Sequence, residues 1–258
     1  IPLGLVVGGL LSQLVGDAAT FLVAAGAVVL ALAAAWAVVP DLRPEVRQRA
    51  PLLETLRAMR DRRLLAVGAL NFALSFAAGG MILTTLAILV HDRGISVLGR
   101  NEQGTSGLLM GLMTVADATT TPFAGRLGDR WRAHASVAAV GLSLMVPGLL
   151  VVAFASHALG IALGVVIVGM GAAGLGPSLL VLMGAMVPRE RRGIGAGLLQ
   201  LCGDVGGMLG PLVGTALLAG NTAIPYVGTA ALLACFVPVA VWLARVERRA
   251  LHREATSS

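Results

Sequence analysis

Long apolar runs separated by short connectors constrain the fold of this sequence more than any other feature. One run covers residues 18–39, and six more follow a charged segment at 40–63. The six cover residues 64–90, 104–124, 135–155, 158–187, 193–219 and 223–244. About 20 apolar residues in a helix cross a bilayer, and a helix satisfies its own backbone hydrogen bonds there. The sequence therefore predicts an all-α, polytopic transmembrane helix bundle.

The composition excludes an ordinary soluble domain. Hydrophobic residues make up 57% of the chain and charged residues 12%, whereas soluble domains carry about 25% charged residues. The net charge of +6 comes from arginines, which concentrate in the connectors. Such a distribution is typical of membrane topology rather than of a nucleic-acid surface, so we expect the lipid bilayer as a partner and no nucleic acid.

The basic connectors alternate with connectors that are not basic. Arginines fill residues 40–63, 126–132, 189–192 and 245–253, and the intervening connectors are 12–17, 91–102, 156–157 and 220–222. Because arginine-rich short loops stay in the cytoplasm, the first set is predicted to be cytoplasmic. We expect a multi-pass protein of the plasma (inner) membrane with a cytoplasmic C-terminal tail.

Motifs for catalysis, metals or cofactors are weak. Cys202 and Cys235 lie inside apolar runs, and the four histidines are scattered, so neither a disulfide framework nor a metal site is indicated. The sequence from Gly169 to Gly174 spells G-x-G-x-x-G, but the apolar pattern continues to Val187 without a strand-to-helix turn. We interpret these glycines as helix-packing positions, and we predict no enzyme activity and no cofactor.

Polar residues inside the apolar runs are the candidate functional positions. Asp117 lies about 12 Å in from Gly125 along a helix, and Asp204 about 16 Å in from Gly193. Asn71 and Gln200 lie at comparable depth, and Gln200 shares a helix face with Asp204. Acids in membrane helices mark ion or substrate paths. The alternative is that they only hold the bundle together through interhelical hydrogen bonds.

Two glycine motifs carry a resemblance. The hairpin Gly125-Arg126-Leu127-Gly128-Asp129-Arg130 resembles the loop signature of the major facilitator superfamily (MFS), in its second-half copy between the eighth and ninth spans. The family pattern places glycine where Arg132 stands. The segment with Gly206, Gly210, Pro211 and Gly214 resembles the glycine-proline motif of drug/proton antiporters, which is best known on the fifth span and here falls on the eleventh.

The resemblance implies a division of the chain. Residues 1–39 would be the end of an N-terminal six-helix half (spans 5 and 6), and 40–63 the cytoplasmic central loop. Residues 64–244 would be the C-terminal half (spans 7–12), followed by the tail at 245–258. It also implies a substrate cavity between two rocking halves, so that the fragment needs the missing N-terminal half, with Gly125, Asp129 and Arg130 in a gating loop.

We therefore expect transport of small molecules by alternating access. Proton-coupled efflux of amphipathic or drug-like compounds is favoured, with Asp117, Asp204, Asn71 and Gln200 in substrate or proton binding. The low aromatic content of 4% argues against a sugar site. The alternatives are an uptake permease for a small metabolite and, more remotely, a membrane-embedded enzyme or a structural membrane protein.

Overall fold

The computed structural model describes residues 8, 11–12, 16–38, 61–97, 102–188, 192–218 and 221–257. Most of the predicted end of span five and most of the 40–63 linker lie outside these residues. The regular elements within them are all helical. They are α1 (Asp17–Val38), α2 (Arg62–Leu74), π1 (Ser75–Ile82), α3 (Leu83–Asp92), α4 (Glu102–Trp131), α5 (His134–Phe154), α6 (Ala158–Met186), α7 (Arg192–Leu217) and α8 (Ile224–Ser257).

The apolar runs form helices of membrane-spanning length. Among the described residues, six helices are long and apolar enough to cross a bilayer: Ala18–Val38, Arg62–Asp92, His134–Phe154, Ala158–Met186, Arg192–Leu217 and Ile224–Ala250. The second of these combines α2, π1 and α3. This confirms the predicted all-α bundle.

Helix α4 differs from the other predicted spans because it is more polar. It carries Asp117 and several threonines, and it is not among the six helices above. It nevertheless packs within the bundle, against α6 and α3. A polar helix inside a membrane bundle is typical of a helix that borders a water-filled or ligand-filled space.

The buried core is drawn from residues between Leu64 and Ala244. Helix α1, by contrast, is exposed along residues 21–38. The predicted boundaries of the C-terminal half at 64 and 244 stay a prediction.

Glycines bring α5 and α6 together. A Cβ atom built on Gly141 of α5 would lie 2.5 Å from the carbonyl oxygen of Gly171 of α6, and one on Gly174 would lie 3.3 Å from the Gly141 Cα. The G-x-G-x-x-G segment is thus continuous helix whose glycines permit close backbone approach, as the packing interpretation requires.

A second glycine contact joins π1 to α7. A Cβ atom on Gly210 would lie 2.5 Å from the Phe76 carbonyl oxygen and 2.8 Å from the Gly80 Cα. A π-helix has wider turns than an α-helix and is rare over eight residues. Here the wider turns coincide with the closest approach of the two helices.

Candidate functional site

Gln200 and Asp204 form a hydrogen-bonded pair on α7. The Gln200 Nε2 atom donates to the Asp204 Oδ1 atom over 2.7 Å, and both side chains are exposed. The shared helix face predicted from their spacing is therefore present. The pair lies among exposed apolar side chains of the same helix: Leu201, Val205, Met208 and Leu212.

The opposite face of α7 is buried. Gly203, Gly206, Gly210 and Gly214 all lie on it, against α2, π1 and α3. Asp204 thus projects from the face that no described helix covers. A ligand, water or another part of the full-length protein can reach the carboxylate from that side.

Asn71 lies on the buried side, away from this pair. Its Nδ2 atom donates to the Leu199 carbonyl oxygen of α7 over 2.7 Å. A Cβ atom on Gly203 would lie only 2.7 Å from the same nitrogen. Asn71 therefore joins α2 to α7, and its placement in a substrate site stays a prediction.

Asp117 is half-buried on α4. Two threonine hydroxyls near Asp117 donate within this helix: Thr114 to the Met110 carbonyl oxygen over 2.7 Å and Thr121 to that of Asp117 over 2.9 Å. Because the protons of these hydroxyls already take part in hydrogen bonds, their oxygens are left to accept a hydrogen bond from a ligand rather than to donate one. The structure does not bring Asp117 into contact with the Gln200–Asp204 pair.

The predicted gating residues lie in the last turns of a helix rather than in a loop. We predicted a connector at 126–132, but α4 continues to Trp131. The correction has a physical reason: backbone hydrogen bonding continues a helix beyond the apolar run, into residues such as Arg126 and Leu127 that favour helix. Gly125, Asp129 and Arg130 are all helical.

The chain reverses at Arg132, which has a positive φ of 47°. The Arg132 N–H donates to the Asp129 carbonyl oxygen over 3.2 Å, and the Ala133 N–H to that of Gly128 over 3.0 Å. This pair of bonds is the Schellman arrangement, in which a left-handed residue follows the last helical turn. Glycine adopts that conformation most easily, which explains why the family pattern has glycine where Arg132 stands.

Two residues at this end of the bundle were missed by the sequence analysis. His134 places its Nε2 atom 3.2 Å from Asp129 Oδ1, and Glu247 of α8 accepts from the Ala135 N–H over 2.9 Å. The charged and polar members of the cavity that they line, which has a volume of about 680 Å³, are Asp61, Arg63, Asp129, Arg132, His134 and Glu247. The sequence signal that could have identified Glu247 was its position as an acidic residue within the arginine-rich tail.

The other end of the bundle is fixed by Arg93. Its guanidinium donates to the carbonyl oxygens of Val152 over 3.2 Å, Ala153 over 2.6 Å and Ala155. These carbonyls end α5, where a cation is favourable. Nearby, the buried Thr85 hydroxyl donates to the Tyr226 oxygen over 3.0 Å, so α3 and α8 are joined by a polar contact as well.

Comparisons with known proteins agree with this architecture. The chain is 30% identical over 172 residues to the multidrug resistance protein Stp of Mycobacterium tuberculosis, covering 64% of the chain and 30% of that protein. It is 30% identical over 184 residues to the multidrug resistance protein MdtG of Yersinia enterocolitica (68% of the chain, 42% of that protein). It is also 26% identical over 149 residues to the multi-drug resistance efflux pump PmrA homolog of Lactococcus lactis (54% and 36%).

The matched stretch spans less than half the length of each of these relatives. Residues 68–257 match the sequence profile of the Major Facilitator Superfamily. The match includes the hairpin with Asp129 and the glycine-rich helix α7, the two segments that carry the resemblance. The chain is a multi-pass membrane protein that belongs to the Major Facilitator Superfamily.

Proposed function

We propose that the full-length protein containing this chain exports amphipathic, drug-like compounds across the plasma membrane by alternating access. The Gln200–Asp204 pair on the uncovered face of α7 is the observation that carries the proposal. The relatives support it, since all three are named for drug resistance or drug efflux.

The surroundings of Asp204 suit a lipophilic cation. A single carboxylate stands among exposed apolar side chains, including Val205 and Met208. Met208 adapts its shape to different ligands because its side chain is unbranched and flexible. One carboxylate and an adaptable apolar surface would favour many hydrophobic cations over one sugar or amino acid.

Asp117 is our candidate for proton coupling. An acid whose hydration changes as its helix moves can bind a proton on one side of the membrane and release it on the other. Asp117 is half-buried, and its helix ends in the hairpin that holds Asp129. Movement of this hairpin would change the access of water to Asp117.

Transport assays in proteoliposomes of the full-length protein test both roles. Asp204→Asn should weaken transport of cationic compounds several-fold and spare neutral ones, and Asp204→Glu, the matched control, should retain them. Asp117→Asn should abolish uphill flux driven by a pH gradient but keep downhill exchange. If both asparagine variants accumulate all compounds as the wild type does, the proposed roles are wrong. Net uptake under the same gradient would favour the permease alternative.

The orientation is also a proposal, supported by the arginine distribution. A membrane-impermeant thiol reagent added outside intact cells should label a cysteine introduced at Asn221 and miss one at Arg57, in a background without Cys202 and Cys235. Labelling at position 57 alone would mean that the topology is the reverse of the one proposed.

A further inference from the structure

A second cavity, of about 320 Å³, lies between the end of α4 and the start of α5, with α6 behind it. We call it the α4/α5 groove. Its main lining residues are Leu127, Trp131, Ser136, Val140, Met170 and Arg248. We propose that the groove binds one acyl chain of an anionic phospholipid from the cytoplasmic leaflet, with the lipid phosphate at Arg248. The choice of leaflet rests on the proposed orientation.

The walls of the groove are apolar, and some of its lining side chains are exposed on the surface of the helix bundle. Val140 is 68% exposed and Trp131 is 62% exposed. In a membrane protein, exposed apolar surface of this kind contacts lipid or protein. The volume is at the lower end of the range for small-molecule sites. It suits a single hydrocarbon chain rather than a whole lipid. Tryptophan is also the side chain that prefers the boundary between hydrocarbon and headgroups.

The charge at the mouth of the groove is positive. Arg248 is the charged residue among the described lining residues, and no acidic side chain lines the groove there. The acids closest in sequence, Asp129 and Glu247, line the other cavity instead. The Glu247 carboxylate already accepts the Ala135 N–H. Arg248 is therefore placed to pair with a phosphate group, as basic sites between membrane helices do on the cytoplasmic side.

Ser136 supplies an independent observation. Its hydroxyl oxygen is buried and, within the described part of the chain, has no hydrogen-bond partner, yet Ser136 lines the groove. A buried hydroxyl without a partner is destabilising. Because the oxygen has almost no exposed surface, a lipid ester or phosphate oxygen would accept its proton only after the Ser136 side chain rotates toward the groove. Free phosphate would leave the apolar walls unoccupied, which is why a lipid is the better occupant.

Quenching of Trp131 fluorescence by brominated lipids tests the proposal without any transport measurement. The full-length protein is placed in phosphatidylcholine vesicles that contain either brominated phosphatidylglycerol or brominated phosphatidylcholine. The Trp131 contribution is the difference from a Trp131→Phe variant. We expect phosphatidylglycerol to quench Trp131 several-fold more effectively than phosphatidylcholine.

Two charge variants separate a site from general attraction to an anionic surface. Arg248→Gln should remove the preference for phosphatidylglycerol, whereas Arg249→Gln, an exposed neighbour outside the groove, should keep it. Val140→Phe should fill the groove and reduce quenching by both lipids. Equal losses in the two arginine variants, or equal quenching by the two lipids in the wild type, would overturn the proposal.

Ser136→Ala provides a check that does not depend on fluorescence. In detergent without lipid it should melt at the same or a higher temperature than the wild type, because the unpartnered hydroxyl is gone. It should also gain less thermal stability from added phosphatidylglycerol. If phosphatidylglycerol stabilises Ser136→Ala as much as the wild type, the Ser136 hydroxyl takes no part in lipid binding. If Arg248→Gln were also stabilised to the wild-type extent, no lipid site would remain.

Discussion

Glu247 of α8 accepts a hydrogen bond from the backbone N–H of Ala135, in the first turn of α5, over 2.9 Å. Helix α5 needs this partner because the residue at its N-cap, Ala133, makes no side-chain cap. A carboxylate at a helix N-terminus satisfies an unpaired N–H and interacts favourably with the helix dipole. The start of α5 is thus held by a residue 112 positions away in the sequence.

We predict that Glu247→Ala destabilises the protein by about 1–3 kcal/mol, the usual effect of losing a charged hydrogen-bond partner. Glu247→Gln should cost less because its amide oxygen can still accept the Ala135 N–H. Unfolding in detergent, followed by the apparent melting temperature, measures both. Arg249→Ala is the control, since its side chain is exposed on the same helix. Equal melting temperatures for the three variants would mean that the cap is not stabilising.

We predict that Arg132→Gly stabilises the hairpin by about 1 kcal/mol, because a side chain at positive φ is strained and glycine is not. Arg132→Ala keeps the same strained backbone and is the matched control. Chemical denaturation of the purified protein compares them. If the alanine variant gains as much stability as the glycine variant, then the benefit comes from removing the arginine charge and not from the backbone.

Much of the fold could be predicted from sequence because a bilayer accepts so few structures. A run such as 135–155 has to be a helix of about the length observed for α5, and glycines within it have to be contact positions or helix defects. The shared face of Gln200 and Asp204 follows from helical periodicity alone. These features depend only on local sequence and on the solvent.

The features that could not be predicted depend on partners distant in sequence. The pairing of Glu247 with Ala135 requires the end of α8 to lie beside the start of α5. Asn71 was grouped with the polar site because of its depth in the membrane, but depth does not show which face of the helix a residue occupies. Its Nδ2 atom donates to the Leu199 carbonyl oxygen instead. The π-helix at Ser75–Ile82 has no sequence signature that we recognised, since it is apolar like its neighbours.

We predict opposite outcomes for alanine at two glycines of α7. A Cβ atom on Gly210 would lie 2.5 Å from the Phe76 carbonyl oxygen, whereas one on Gly207 would meet nothing within 4 Å. The Phe76 oxygen belongs to the backbone and cannot move aside without shifting π1. Gly210→Ala should therefore destabilise by about 1–3 kcal/mol or more, and Gly207→Ala should be neutral or stabilise by up to about 1 kcal/mol.

Melting temperatures of the two variants in the same detergent compare them directly. Both substitutions add one methyl group to the same helix, so differences in helix propensity and in detergent binding largely cancel. A Gly210→Ala variant as stable as Gly207→Ala would mean that α7 and π1 are not in the close contact observed here.

The last prediction concerns Asp129 and His134. The Asp129 side chain is 76% exposed and that of His134 is 14% exposed, with 3.2 Å between Oδ1 and Nε2. A contact made by a largely exposed carboxylate contributes little to stability, so Asp129→Asn should leave expression and melting temperature close to those of the wild type. If the pair holds one state of the cytoplasmic gate, however, the same variant should lower the transport rate, because the equilibrium between gate states is changed.

A double variant shows whether Asp129 acts through His134. If it does, Asp129→Asn combined with His134→Gln should transport no more slowly than the slower single variant, since one interaction cannot be lost twice. Arg126→Gln, an exposed charge change in the same hairpin, controls for the altered surface charge and should transport at the wild-type rate. If the losses in transport rate of the two single variants add up in the double variant, Asp129 and His134 act independently. A wild-type rate in Asp129→Asn would make Asp129 a solvated surface charge, and the resemblance of the hairpin to the family signature would then reflect the helix end at Arg132 rather than the gate.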